Sequence, residues 1–544
     1  MKYLYLLLGC LFLISPISAQ DTDSIAVALE LNDLHFDQAE IDTLRRNIAN
    51  QQKMVNRMRQ SALPNDLPYS LVFMPPINEH RLPEAQAEIN WRLGEDASLP
   101  DNKAALAFYP VHQLSALIRS RKISSLELTQ LFIDRLRKYG DTLQSVITIT
   151  DSLALAQARR ADAELAQGKY RGPLHGIPYG AKDLLAVKGY KTTWGAGPYQ
   201  DQVLDYDATV VEKLEEAGAV LVAKLTLGAL AMGDVWYGGK TRNPWDLTKG
   251  SSGSSAGSAA ATVAGLVPFT IGSETLGSIV SPSTRCGATG LRPTFGRVSR
   301  HGAMALSWTM DKLGPICRNA ADCALVFEAI RGTDGQDLSV RDFPFNYDHR
   351  KNVKTLRVGV LRDEINSDNS ANYQNDSSFI ALMETQGIEL IDKQLPQDIP
   401  TSALRLILLA ETGAAFDELT RSDRDSLLVR QDRYAWPTTF RASRLIPAVE
   451  YIQANRLRSA LTQQFNEIMR DIDVLIAPSF GIQLTMTNLT GHPCIALPNG
   501  SYANGDNGSI TLIGNHFDEA SILRFARFVQ EITPYEEEQP PLFR

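Results

Sequence analysis

Residues 249–302 read KGSSGSSAGSAAATVAGLVPFTIGSETLGSIVSPSTRCGATGLRPTFGRVSRHG, and the reading of this stretch decides the fold. It opens with eight Gly or Ser among the nine residues 250–258, Ala256 being the exception. An apolar run of small residues follows, and a second Gly/Ser turn comes at 272–278. Small residues let backbone amides approach a ligand closely and hold hydroxyls in tight quarters. A flexible linker has a similar composition. A linker does not, however, lead straight into a segment such as 259–271, which is apolar enough to be buried.

Outward from this stretch, helix and strand patterns alternate. Ser124-Ser-Leu-Glu127 is a capping box, in which hydroxyl and carboxylate satisfy orphan amides at a helix start. Leu128, Leu131, Phe132 and Leu136 then line one helical face, and Gly140 is placed to stop it. Residues 146–150 are strand-like, 152–167 form an Ala-rich helix, and 207–218 and 321–330 are helical. The run 219–224 reads as a buried strand, 226–232 as the start of a helix, and 355–361 and 473–478 as strands. Residues 362–470 are mostly helical and more charged. The alternation predicts an α/β core with a mostly parallel or mixed sheet.

The 544 residues are 44% hydrophobic and 21% charged, an ordinary globular composition. The net charge of −8 comes from 54 basic and 62 acidic residues that are well interspersed, so no basic face for nucleic acid is expected. Met1-Lys2, an apolar run over 3–14 and Ser15-Pro-Ile-Ser-Ala-Gln20 form an export signal cleaved near Ala19. Residues 1–19 are thus expected to be a signal peptide and the mature protein periplasmic or secreted. A membrane anchor is the alternative, but the run is short for a span of ~20 residues. Cys10 only loosely fits a lipoprotein box, and no later segment is apolar enough to span a bilayer. Residues 20–103 read as a partly helical N-terminal extension, with helical periodicity near 44–58 and prolines between 64 and 100. Cys286, Cys317, Cys323 and Cys494 show no C-x-x-C zinc spacing and leave either one disulfide or free core thiols.

Two serine chemistries fit these residues. Residues 253–257 match G-x-S-x-G, which would make Ser255 the nucleophile of an α/β-hydrolase esterase. His301, His349, His492 or His516 would then be the base, and His175-Gly176 an oxyanion turn. Such an elbow needs a buried strand before it, and 245–252 is polar and turn-rich. The second chemistry uses a lysine as base. Its pKa must fall by about three units to act near neutrality, roughly 4 kcal/mol, which burial and hydroxyl partners supply. Lys182, in GPLHGIPYGAKD over 172–183, has small and apolar neighbours on its N-terminal side, although Asp183 must point away.

From about residue 104 to 543 the chain resembles the amidase signature family. The similarity is carried by 172–183, by Gly253-Ser-Ser-Ala-Gly-Ser258 (similar to the family's GGSSGGS loop), by the turn at 272–278 and by 488–498. The resemblance implies a large mixed, mostly parallel central sheet surrounded by helices, with an amidase domain over 104–544. It further implies a Ser–cis-Ser–Lys triad: Lys182 the base, Ser254 the relay and Ser278 the acyl-forming nucleophile. The backbone N–H groups of Thr275, Leu276, Gly277 and Ser278 would form the oxyanion hole, each such donor typically worth ~3–4 kcal/mol. Ser255 would then be structural. The implied activity is hydrolysis of a small-molecule or peptide amide, with no metal or nucleotide cofactor. Glu274-Thr275 and Val280 are similar to the peptide-amidase branch, written E-T-D-G-S-I, from which Leu276 departs with added bulk. Tyr179, Met232, Trp308 and 362–470 are expected to shape the pocket. A non-catalytic binding protein of this fold is one rival reading. A tRNA-linked amidotransferase subunit is another, and the export signal speaks against it.

Overall fold

The computed structural model describes residues 24–61, 63–67, 70–76, 82–91, 97–366, 372–502 and 504–544; the expected signal segment 1–19, Cys10 included, lies outside them. The chain divides into two compact units, Met1–Pro64 and Asn65–Arg544. In the first, helix Gln38–Met58 starts at a capping box formed by Asp37 and Glu40.

The second unit is built on an 11-stranded sheet. Its strands are β1 (Val146–Ile149), β2 (Pro178–Lys182), β3 (Val220–Leu225), β4 (Thr270–Glu274), β5 (Thr289–Arg292), β6 (Lys312–Cys317), β7 (Val358–Val360), β8 (Leu390–Asp392), β9 (Val474–Pro478), β10 (Cys494–Ser501) and β11 (Asn507–Gly514). Their order across the sheet is β1-β3-β2-β4-β6-β5-β10-β11-β9-β7-β8. The sheet is mixed, with helices against it. Parallel pairing is confined to β3-β2-β4 and β9-β7-β8, while the middle of the sheet is antiparallel. The expected parallel predominance does not hold there: β4-β6, β6-β5, β5-β10, β10-β11 and β11-β9 are all antiparallel. Of these, β10 and β11 form a hairpin through the short connection 502–506, as short connections join antiparallel neighbours.

The parallel triplet positions the site. β2 lies between β3 and β4 with Ala181 opposite Ile271, so Lys182 and the Ser273-Glu274 end of β4 reach the same edge of the sheet. The C-terminal edge of parallel strands is where α/β folds bind ligands. All five residues of β2 are buried, as are all five of β4. Helix Ala256–Val263 is buried at every position. Its small side chains allow this packing: a Cβ on Gly257 would sit 2.4 Å from the Ser145 carbonyl oxygen.

Two local expectations are corrected. Helix Ser125–Leu143 does begin at the Ser124 capping box but runs through Gly140, ending at Gln144 in the left-handed region. Gly140 serves close packing instead, since a Cβ there would lie 2.9 Å from Val146 Cγ2. Residues 226–232 form no α-helix; Leu230 and Ala231 have positive φ, and the chain turns so that Leu230 N–H donates to the Trp194 carbonyl at 2.9 Å. Cys286, Cys317, Cys323 and Cys494 are free and buried. No helix among the described residues is long and apolar enough to cross a membrane.

Candidate active site

Lys182 ends β2 with none of its surface exposed. Its Nζ lies 2.8 Å from Ser254 Oγ, 3.0 Å from Ser255 Oγ and 2.8 Å from Ser273 Oγ. Burial pushes the Lys182 ammonium well below its ordinary range, against the opposing pull of the Asp311 and Glu274 carboxylates. Were this amine neutral, it could donate to two of the hydroxyls and accept from the third, the geometry for a proton to pass between Lys182 and a serine. Asp183, the neighbour expected to point away, does so: its carboxylate pairs with Lys224 at 2.7 Å and accepts from Thr193.

The loop that carries Ser254 is held by backbone crowding. The Gly253–Ser254 peptide is cis, and a Cβ on Gly253 would fall 1.8 Å from the Gly233 carbonyl oxygen, so only glycine fits. Ser255 is fully buried and has both ends of its hydroxyl occupied: it accepts from Ser273 N–H at 3.1 Å and donates to the Ser273 carbonyl at 3.0 Å. Its own N–H donates to the Ser278 carbonyl at 3.1 Å, which brings the turn at 275–278 against the loop. No histidine shares a hydrogen bond with Ser255 among the described residues. His349, His492 and His516 bond to Asn90, Thr490 and Thr490 respectively, His301 stacks on Tyr206, and His175 bonds to the Ala161 carbonyl. The esterase geometry around Ser255 is therefore absent, because its place beside a base is taken by Lys182.

Ser278 is 9% exposed against 1% for Ser254, so both are buried and Ser278 is the less so. Gly277 just before it has φ +83°, a conformation a side chain rarely adopts. Among the described residues, the N–H groups of Thr275, Leu276, Gly277 and Ser278 donate to no protein acceptor outside the regular helix and strand ladders. The next two N–H groups are occupied, since Ile279 and Val280 both donate to Glu274 Oε2 at 2.8 and 3.0 Å. Glu274 Oε1 accepts from Arg292 Nη1 and Asn488 Nδ2, each at 2.8 Å. Burial alone would raise this carboxyl, but the charges of Arg292 and Lys312 and the Val280 N–H outweigh it and bring the pKa down to about 2. Thr275 Oγ1 donates to Asp311 Oδ1 at 2.5 Å, and Asp311 Oδ2 accepts from Leu306 and Ser307 N–H.

A cavity of about 790 Å³, counting its open mouth, meets the site at Ser273 and Thr275. Trp308 lines it, whereas Tyr179 does not: it is 1% exposed and stacked on Phe269. Met232 lines a separate small pocket with Leu428 and Trp436, and the 362–470 region contributes to that pocket rather than to the larger one. Leu276 is partly buried against the main core. Asp311 belongs to no motif of the sequence, and Ser273, though inside the 272–278 turn, is assigned no role there. Ser273 was legible only as the β4 residue beside Glu274, and Asp311 carries no local signal, since its partner Thr275 lies 36 positions away. No group of three His, Cys, Asp or Glu side chains among the described residues is placed to hold a metal ion.

A family model described as Amidase matches residues 127–488. A glutamyl-tRNA(Gln) amidotransferase subunit from Coxiella burnetii is 32% identical over 481 residues, which cover 79% of this chain and 99% of that protein. Its counterpart from Moorella thermoacetica is 34% identical over 490 residues, covering 80% and 99%. Among solved structures, the native peptide amidase from Stenotrophomonas maltophilia is similar with a TM-score of 0.70 at 27% identity, over 81% of this chain and 99% of that one.

Proposed function

Because the chain belongs to the amidase signature family and is thereby an amidohydrolase acting on C–N bonds, we propose that it cleaves a carboxamide through an acyl-enzyme on Ser278. Ser254 relays the proton and Lys182 is the base. Ser278 Oγ passes its proton to Ser254 as Ser254 passes its own to neutral Lys182, and Oγ bonds to the carbonyl carbon. The open N–H groups of residues 275–278 receive the oxyanion. The C–N bond then breaks, the leaving nitrogen takes the proton back through Ser254, and water repeats the route to release the acid and free Ser278. The observation that carries this reading is a fully buried lysine within 2.8–3.0 Å of three serine hydroxyls. Removing a nucleophile from such a unit typically leaves activity lower by on the order of 10³-fold or more. Ser278→Ala should show that loss on a panel of small amides and amidated peptides; full turnover by Ser278→Ala would overturn the assignment.

The names of the curated relatives favour a second reading, that this chain too serves as one component of an amidotransferase. The residues at 1–19 support export instead, with cleavage near Ala19. Fractionating the producing cell and measuring the intact mass tests this. A mature form lacking about the first 19 residues outside the cytoplasm is expected, and a cytoplasmic protein retaining Met1 in complex with other subunits would refute it.

A further inference from the structure

Residues 65–67 and 70–76 precede the stretch matched by the family model, and they close one side of the cavity that meets Ser273 and Thr275. Asn65 is tied to Ala305 by two hydrogen bonds, its Oδ1 accepting at 2.7 Å and its Nδ2 donating at 3.1 Å. Asp66 Oδ2 accepts from the Tyr206 hydroxyl at 2.6 Å. The ring of Phe73 lies 5.3 Å from that of Phe295, with the Arg458 guanidinium 3.6 Å above it. Held in this way, the segment places Leu71 and Val72 in the cavity lining.

Leu71 is 68% exposed, and Leu338, which also lines the cavity, is 65% exposed. Apolar side chains left in water at the rim of a cavity gain by being covered when an apolar ligand extends past them. The charge of the lining points the same way. Asp66 and Asp311 contribute carboxylates, whereas the guanidinium of Arg300 is taken by Asp337, Ser339 and the Trp308 carbonyl. Among the described lining residues, a substrate carboxylate would meet two acidic neighbours and a guanidinium that is already engaged.

We propose that Leu71 and Val72, with Leu338, form the specificity wall of the site, which selects amides bearing an uncharged apolar substituent long enough to reach the cavity mouth. This rests on the amide-hydrolase reading of Ser278. The test is steady-state kinetics of the full-length protein on two series of amides, with straight alkyl substituents of increasing length on the acyl side or on nitrogen, and on their terminally carboxylated counterparts. In wild type, kcat/KM should rise with length in one series and fall tenfold or more with a terminal carboxylate. Each buried methylene is worth about fourfold, so Leu71→Ala combined with Leu338→Ala should cut the long-to-short ratio of kcat/KM about tenfold. Leu445→Ala, which removes an equally exposed leucine away from the cavity lining, should leave that ratio alone. An unchanged ratio in the double variant, or a preference for carboxylated substrates, would overturn the wall. If Ser278→Ala is inactive while the double variant shifts nothing, only this inference fails; if Ser278→Ala stays active, the catalytic reading fails first.

Discussion

Replacing Glu274 with glutamine keeps the size of the side chain but removes the charge that fixes the turn at 275–278. In the native protein its two oxygens accept four hydrogen bonds: from Ile279 and Val280 N–H on one side, and from Arg292 and Asn488 on the other. A glutamine offers one oxygen and one NH₂, so on either rotamer an NH₂ faces two donors. It also leaves the guanidinium of Arg292 buried beside a neutral group, with the His492 carbonyl still accepting from its Nη2. Breaking a buried pair by removing one partner typically costs 3–5 kcal/mol. Linkage gives a second figure. Glu274 falls from 4.5 to about 2, a drop of about 2.5 units at ~1.36 kcal/mol each, or about 3 kcal/mol. Its folded value is depressed, so this stability is present above the unfolded pKa and disappears as pH falls from about 4.5 toward 2. Urea unfolding at pH 7 should therefore show Glu274→Gln less stable by about 3 kcal/mol, and the variant should lose less than wild type between pH 4.5 and 2. The displaced turn should also lower kcat by on the order of 10²-fold, the scale of losing one oxyanion donor. A variant within about 1 kcal/mol of wild type at pH 7, or with an identical acid limb, would show that Glu274 does not hold the turn.

Ser255→Ala removes an acceptor from Lys182 and both bonds to Ser273, so a loss of about 2–6 kcal/mol is expected in denaturation, at 1–3 kcal/mol for each of the two Ser273 backbone groups left unpaired, with hydrolysis reduced but not abolished. Burial raises Asp376 to about 7 despite its hydrogen bonds from Asn499 and Asn372. The folded chain therefore holds a proton that the unfolded chain has lost, and stability falls as pH rises from about 4 to 7; Asp376→Asn should be the more stable form at pH 8 and gain little at pH 4. Lys182 has the opposite sign: the unfolded chain holds the proton, so Lys182→Met should flatten the rise in stability as pH climbs toward about 10, and parallel slopes would contradict a neutral buried amine.

Much of the fold was legible because its signals are local. The Ser124 capping box, the β-branched run that becomes β3 and the apolar step from 259 to 271 each declare themselves within a few residues. What escaped depends on distant partners. Nothing around Gly140 says that Val146 will pack against it, and nothing around residues 226–232 says that the Trp194 carbonyl will receive Leu230 N–H. The same limit applies at the site. The motifs singled out Lys182, Ser254 and Ser278, but Asp311 is tied to Thr275 across 36 positions, and the cavity wall at Leu71 and Val72 comes from a part of the chain with no motif. The antiparallel middle of the sheet does not follow from helix–strand alternation either. One of its pairings comes from the β10–β11 connection, where Asn504-Gly505 supplies the chemistry of a hairpin turn.

The central claim is that Ser278, and not the more conspicuous Ser255, carries the acyl group. Its most direct test is to quench the protein with acid during turnover of a slowly deacylating amide or activated ester, then digest it and locate the mass increment by peptide sequencing. The acyl group is expected on Ser278 and absent from the Lys182→Ala protein at neutral pH. A label on Ser255, or an acyl group on Ser278 that forms equally fast without Lys182, would contradict it.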